Sequence, residues 1–140
     1  MPRAVLDANV FVSAAIRPEG PPGRVLERFV RQAAFDLVLS PAIVDEALRA
    51  LASPKVRKHM RATIDPRLWF QGIAVLADLV AGDYVLRGVS RDPDDDPYLA
   101  AAVEGRARSV VTGDPDLLSV REHAGVRIVS PRQFLDVLTS

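Results

Sequence analysis

Apolar residues along this chain come in short blocks of two kinds. Some are runs of three or four, at residues 4–6, 36–39, 109–112 and 126–129, with a weaker one at 83–86. Short apolar runs bounded by polar residues predict strands of a sheet covered on both faces. Other apolar positions recur every three or four residues. That spacing predicts helices over 23–34, 41–52, 66–81, 97–106 and 131–138. Alternation of the two kinds predicts an α/β fold, a parallel sheet with crossover helices.

Helix starts are marked by a repeated dipeptide. Ser40-Pro41, Ser53-Pro54, Asp65-Pro66, Asp96-Pro97, Asp114-Pro115 and Ser130-Pro131 each put a capping side chain before a proline at the first helical position. Residues 17–23, rich in Pro and Gly, predict a mobile loop. On the 66–81 helix Leu68, Trp69, Ile73, Leu76 and Val80 have the spacing of core positions. No repeat or composition break divides residues 1–140, so one domain is expected.

Composition narrows the chemistry. With 49% hydrophobic residues over 140 positions, the chain has enough apolar surface for a core. No apolar run approaches the ~20 residues of a membrane helix. The start Met1-Pro2-Arg3 leads into a strand without the apolar stretch of a secretory signal. The absence of cysteine excludes disulfides, thiolate metal ligands and a Cys nucleophile, and fits a cytoplasmic setting. Net charge is zero, with 18 basic and 18 acidic residues, so no overall basic excess marks a nucleic-acid binder. Sixteen of the cations are Arg, the better bidentate phosphate ligand.

Four acids stand out by position. Asp7, Asp96 and Asp114 lie where a predicted strand or loop hands over to a helix, and Glu46 lies within a helix. In an α/β fold such handover points gather at one edge of the sheet. Crowded carboxylates repel unless a cation joins them, and oxygen-only ligands suit Mg²⁺ or Mn²⁺. Asp96 and Asp114 read equally as plain N-caps, each contributing ~1 kcal/mol. Asp7 closes a buried strand with a charge that needs a partner, and Asn9 follows two residues later. On the 41–52 helix Ile43, Val44, Ala47, Leu48 and Leu51 form the apolar stripe. Asp45 and Glu46 flank it on opposite sides, each roughly 130° from its centre, so periodicity does not choose between them.

In the run Asp92-Pro93-Asp94-Asp95-Asp96, the acids Asp92, Asp94 and Asp95 read as a solvated turn with Asp96 turned inward. An EF-hand loop is rejected, since Pro97 and Val103 stand where it needs Gly and Glu. Neither His59 nor His123 sits in a motif with a carboxylate, so a nucleophilic triad has no support. Both are expected at the surface. A phosphatase with an Asp nucleophile would want a second Asp where Asn9 stands.

Four segments together resemble the PIN-domain family. They are Val5-Leu6-Asp7-Ala8-Asn9-Val10, then Ser40-Pro41-Ala42-Ile43-Val44-Asp45-Glu46, then Asp96-Pro97-Tyr98-Leu99-Ala100-Ala101-Ala102, and finally Val110-Val111-Thr112-Gly113-Asp114-Pro115-Asp116-Leu117-Leu118. The likeness is greatest to the small VapC-like toxins of toxin–antitoxin systems. It implies a three-layer α/β/α sandwich around a central parallel sheet, and an endoribonuclease that needs Mg²⁺ or Mn²⁺ to cut single-stranded RNA. The family's four acids fall on Asp7, Glu46, Asp96 and Asp114, and this likeness selects Glu46 over Asp45. Asn9 and Thr112 match supporting polar positions, and Asp116 an additional acidic one. A cognate antitoxin, a homodimer and no membrane association are implied as well. Arg17, Arg24 and Arg91 are candidates, by position alone, for steering the RNA backbone. The alternative is a PIN-like module that binds RNA or protein without cutting.

Overall fold

The computed structural model describes residues 1–89 and 92–139. Arg91, one of the arginines singled out above, lies outside the described residues. Six strands form one sheet among them: β1 (Arg3–Leu6), β2 (Asp36–Leu39), β3 (Asp78–Leu79), β4 (Ser109–Val111), β5 (Glu122–His123) and β6 (Val126–Val129). Their order is β3-β2-β1-β4-β6-β5. All neighbours are parallel except the β5–β6 edge pair. The helices are α1 (Ala8–Ile16), α2 (Pro21–Gln32), α3 (Pro41–Ala52), α4 (Pro54–Arg57), α5 (Pro66–Ala74), α6 (Asp96–Glu104), α7 (Pro115–Leu118) and α8 (Pro131–Thr139). The architecture is a three-layer α/β/α sandwich. Among the described residues no helix is long and apolar enough to cross a membrane.

Ala4, Val5, Leu6, Leu37, Val38, Leu39, Val110 and Val111 are fully buried, as expected of central parallel strands. Helix α1 packs on α2 and α3, α3 on α5, and α2 on α8, while α6 lies against β1 and β4. Edge-on ring pairs, Phe11–Phe70 at 5.1 Å and Phe35–Phe134 at 5.0 Å, join these layers. The small residues Ala100, Ala101 and Ala102 let α6 sit close to the strands.

Residues 17–23 are not one loose loop. Pro21 and Pro22 start α2, and Gly23 lies hard against the backbone of Pro18. A Cβ on Gly23 would stand 2.1 Å from the Pro18 carbonyl oxygen. Alanine would gain helix propensity there, about 1 kcal/mol, but no backbone can yield that much space. Gly23→Ala is expected to lower the thermal midpoint by roughly 5–10 °C, about 1–3 kcal/mol, in a circular dichroism melt. An unchanged or raised midpoint would show that α1 and α2 are not locked in this way.

The weak strand expected at 83–86 does not form. Its backbone is held by carboxylates instead: the N–H groups of Gly82 and Tyr84 donate to Glu104 at 3.1 and 2.9 Å, and that of Gly88 donates to Asp96 Oδ2 at 3.0 Å. The third strand is Asp78–Leu79, inside the region expected to continue a helix to residue 81. That helix stops at Ala74 because residues 78–80 are drawn to the sheet edge. Val80 N–H donates to Leu39 O at 2.8 Å, and Arg3 pairs with Asp78 at 2.7 Å. Two expected core residues are therefore outside: Leu68 is 65% and Leu76 56% exposed, while Phe70 and Ile73 are buried.

Candidate active site

Strand order reverses at β1, with β2 on one side and β4 on the other. Ligands of parallel α/β sheets bind at the carboxyl ends of strands beside such a switch point. The carboxyl end of β1 leads into Asp7, and that of β4 into Thr112 and Asp114. Asp7 N–H donates to Val111 O at 2.9 Å, so the two strand ends meet there.

Asp7 is 3% exposed and has both carboxylate oxygens engaged. Oδ1 accepts the backbone N–H of Asn9 at 3.1 Å and caps α1. Oδ2 accepts the hydroxyl of buried Thr112 at 2.6 Å. The same hydroxyl accepts the N–H of Asp114 at 3.0 Å, so Thr112 bridges the first and fourth acids of the expected set. Asp114 is half-buried and caps α7 through the N–H of Asp116 at 2.9 Å. Asn9 is exposed, and its contact with Asp7 is made by its backbone. Asp116 is exposed in the first turn of α7.

Glu46 enters through Tyr98. Asp45 is exposed and Glu46 half-buried, which separates the two acids that periodicity left equal. The buried Tyr98 hydroxyl accepts the N–H of Ala8 at 3.2 Å. Burial, together with the charges of Asp7 and Glu46 beside it, pushes the pKa of this hydroxyl up and keeps it protonated. Tyr98 thus links α6 to the start of α1 and neighbours both carboxylates, a role its place among apolar residues had not signalled.

The Asp-rich run is arranged differently from the expectation. Asp96 is turned inward at 3% exposure, but Asp95, expected in a solvated turn, is buried too at 6%. The reason is a 3₁₀ turn over Pro93–Asp95 that precedes α6. Asp92 accepts the N–H of Asp94 at 3.0 Å and opens that turn, which leaves Asp94 exposed and brings Asp95 inside. The dipeptide Asp92-Pro93 was the available signal, because it repeats the cap-then-proline pattern read at six other places. Burial, then the charge of Asp114 and a proton shared with it, then the charges of Asp7 and Asp92, push the Asp95 carboxyl up to about 7.

The donors here are oxygens alone, negative and withdrawn from water. Asp95 Oδ2 is buried and receives no hydrogen bond from any described residue. Such a set fits a hard divalent cation such as Mg²⁺ or Mn²⁺. Among the described residues no group of three His, Cys, Asp or Glu side chains lies close enough to enclose an ion. Of the arginines expected to steer a substrate, Arg17 is exposed with Glu19 at 3.7 Å, and Arg24 is exposed on α2.

Comparison with known proteins agrees with this architecture. A chain of the crystal structure of VapBC2 from Rickettsia felis, bound to a DNA fragment from the promoter, superposes with a TM-score of 0.58 at 12% identity. It covers 91% of this chain and 98% of that one. An uncharacterized protein of Methanocaldococcus jannaschii, MJ1680, is 28% identical over 145 residues, spanning 96% of this chain and 90% of the relative. The model of the PIN domain family matches residues 3–116, from β1 through Thr112 and Asp114 to the start of α7. This chain belongs to the PIN domain family.

Proposed function

We propose that this protein is a metal-dependent endoribonuclease that cuts phosphodiester bonds of single-stranded RNA, with Asp7, Glu46, Asp96 and Asp114 as its acidic set. The observation that carries the reading is the convergence of Asp7, Thr112 and Asp114 through one shared hydroxyl at the switch point of the sheet. PIN domains are generally nucleases, and in such enzymes carboxylates hold divalent metal. Asp7, Glu46, Asp96 and Asp114 would hold Mg²⁺ or Mn²⁺. Bound there, the cation supplies positive charge that favours water as nucleophile and offsets charge gathering on the phosphate.

The chain's own residues define the rest. Thr112 fixes the Asp7 carboxylate by donating to Oδ2, and the α1 N-terminus favours its ionised form. Glu46, only half-buried and beside Tyr98, is the acid with room to orient a water against the phosphate. Exposed arginines such as Arg17 and Arg24 would meet the RNA backbone. The likeness to a VapBC2 chain favours a toxin with a cognate antitoxin as partner, and we propose a homodimer acting in the cytoplasm.

The test is incubation of purified protein with single-stranded RNA in Mn²⁺, Mg²⁺ or EDTA. Cutting in either metal and none in EDTA is expected. Tight Mn²⁺ binding without cleavage of any RNA offered would instead favour a PIN module that binds without cutting.

A further inference from the structure

The chain has one Trp, two Tyr and five Phe. All five Phe and Tyr98 are buried, and Trp69 is half-buried. Tyr84 differs from them: it is 42% exposed. Its backbone is nevertheless held. Glu104 accepts the N–H of Gly82 with one carboxylate oxygen and that of Tyr84 with the other, and Asp96 Oδ2 accepts the N–H of Gly88 farther along. Gly82, at φ +82°, sets the segment close against Pro41 in a left-handed conformation that glycine enters without strain. Tyr84 lines a cavity of about 240 Å³. The other walls are the first turn of α3, at Pro41 and Ala42, and one face of α6, at Pro97, Ala101 and Glu104. Both helices lead from this cavity to acids of the proposed set. Pro97 follows Asp96 directly, and Ala42 lies one turn before Glu46 on the same side of α3.

We propose that Tyr84 and this cavity form a base subsite, in which an unpaired nucleobase of the RNA, next to the phosphate that meets the acids, stacks against the Tyr84 ring. The inference rests on the RNA-directed reading above and adds how the strand is seated. Single-stranded RNA exposes the flat faces of its bases, and aromatic side chains are the usual platforms for them. A base face carries no charge, so it can approach a cluster of carboxylates that would repel a bare phosphate. Every base has such a face, so the subsite positions the strand rather than reading its sequence. Because Glu104 and Asp96 already hold the segment, little backbone order has to be gained on binding. The competing occupant is another protein surface, since Leu79 and Val85 are also exposed nearby in the chain. Such a surface would have no need of a recess lined by small residues beside the acids.

The experiment compares the natural chain with Tyr84→Ala, Tyr84→Phe and Ala42→Leu. The probes are a short fluorescein-labelled single-stranded RNA and the same RNA made with one abasic nucleotide at each position in turn. Cleavage in Mn²⁺ gives kcat and KM, fluorescence anisotropy in EDTA gives affinity, and thermal midpoints check folding. On the complete RNA, Tyr84→Ala is expected to raise KM by roughly 5- to 100-fold, with a smaller change in kcat. Tyr84→Phe keeps the ring and should recover most of that loss. Ala42→Leu narrows the cavity from the α3 side and should weaken binding in the same direction. On the RNA that lacks the seated base, the natural chain should fall to the level of Tyr84→Ala, and the substitution should cost nothing more. A ring that only shaped its own segment would cost the same on every RNA, and that result overturns the inference. RNA bound but not cut, with this same order of affinities, sustains the subsite while the nuclease reading fails. Cleavage with equal KM in Tyr84→Ala and the natural chain overturns the subsite and leaves the nuclease reading standing. A change in sedimentation mass of Tyr84→Ala would then assign the ring to a contact between copies. Neither binding nor cutting of any RNA by the natural chain overturns both.

Discussion

Asp7→Asn is expected to reduce metal-dependent RNA cleavage by at least roughly 100-fold while leaving the fold in place. Asparagine is as good an N-cap as aspartate, so the bond from Asn9 N–H and the start of α1 survive. The amide nitrogen takes the place of Oδ2, and Thr112 can turn its hydroxyl to accept where it now donates. What disappears is one negative charge at the meeting of β1 and β4. The measurement is initial cleavage rate in saturating Mn²⁺, with a circular dichroism melt on the same sample. A rate within a few-fold of the natural chain would remove Asp7 from the site. Asp7→Ala would be less informative, since it also discards the cap and leaves Thr112 without its acceptor, about 1–3 kcal/mol of stability.

Metal-free protein is expected to lose stability as pH rises from 5 to 8, the reverse of what salt-bridged carboxylates produce. The folded Asp95 carboxyl is raised from 3.8 to about 7 by burial and by Asp114, Asp7 and Asp92. Between those two values the folded state binds a proton that the unfolded state has released. Stability therefore falls with rising pH across that window and levels off above about 7. The full excursion corresponds to at most about 4 kcal/mol. Thermal midpoints in EDTA at pH 5, 6, 7 and 8 should decline in order, and Asp95→Asn should flatten the decline. Adding Mn²⁺ at pH 8 should restore the midpoint, because a bound cation replaces the proton. A flat or rising series in the natural chain would contradict this electrostatic description of Asp95.

Both effects arise from one arrangement: carboxylates brought together by distant segments and withdrawn from water. Part of the cost is offset at helix starts, where backbone N–H groups hold one oxygen of Asp7 and one of Asp114. Asp7 and Asp114 serve as caps and also belong to the proposed acidic set, and the two readings of each are not exclusive. A cap keeps a carboxylate ionised, and an ionised carboxylate is what a cation requires.

Much of this was determined by the sequence alone. Strong local patterns placed β2, β6 and α3 at their observed bounds, because short apolar runs and a Ser-Pro cap act within a few residues. The same cap-then-proline signal located the starts of α5, α7 and α8. Alternation of strands and helices determined the parallel character of the sheet, and with it the edge where Asp7, Thr112 and Asp114 meet. Tertiary structure decided the rest, wherever the competing partners were remote in the chain. Segment 83–86 had the look of a strand, but Glu104 and Asp96 took its N–H groups. The helical pattern after Ala74 lost to the free edge of β2 and to Arg3, which drew Asp78 to the sheet. Glu46 and Asp45 were equivalent by periodicity until Tyr98, on another helix, stood beside one of them. Asp95 was one acid in a run of four. Its burial depends on a turn closing against Asp7 and Asp114, contacts that no local pattern encodes because they join residues some twenty to ninety positions apart.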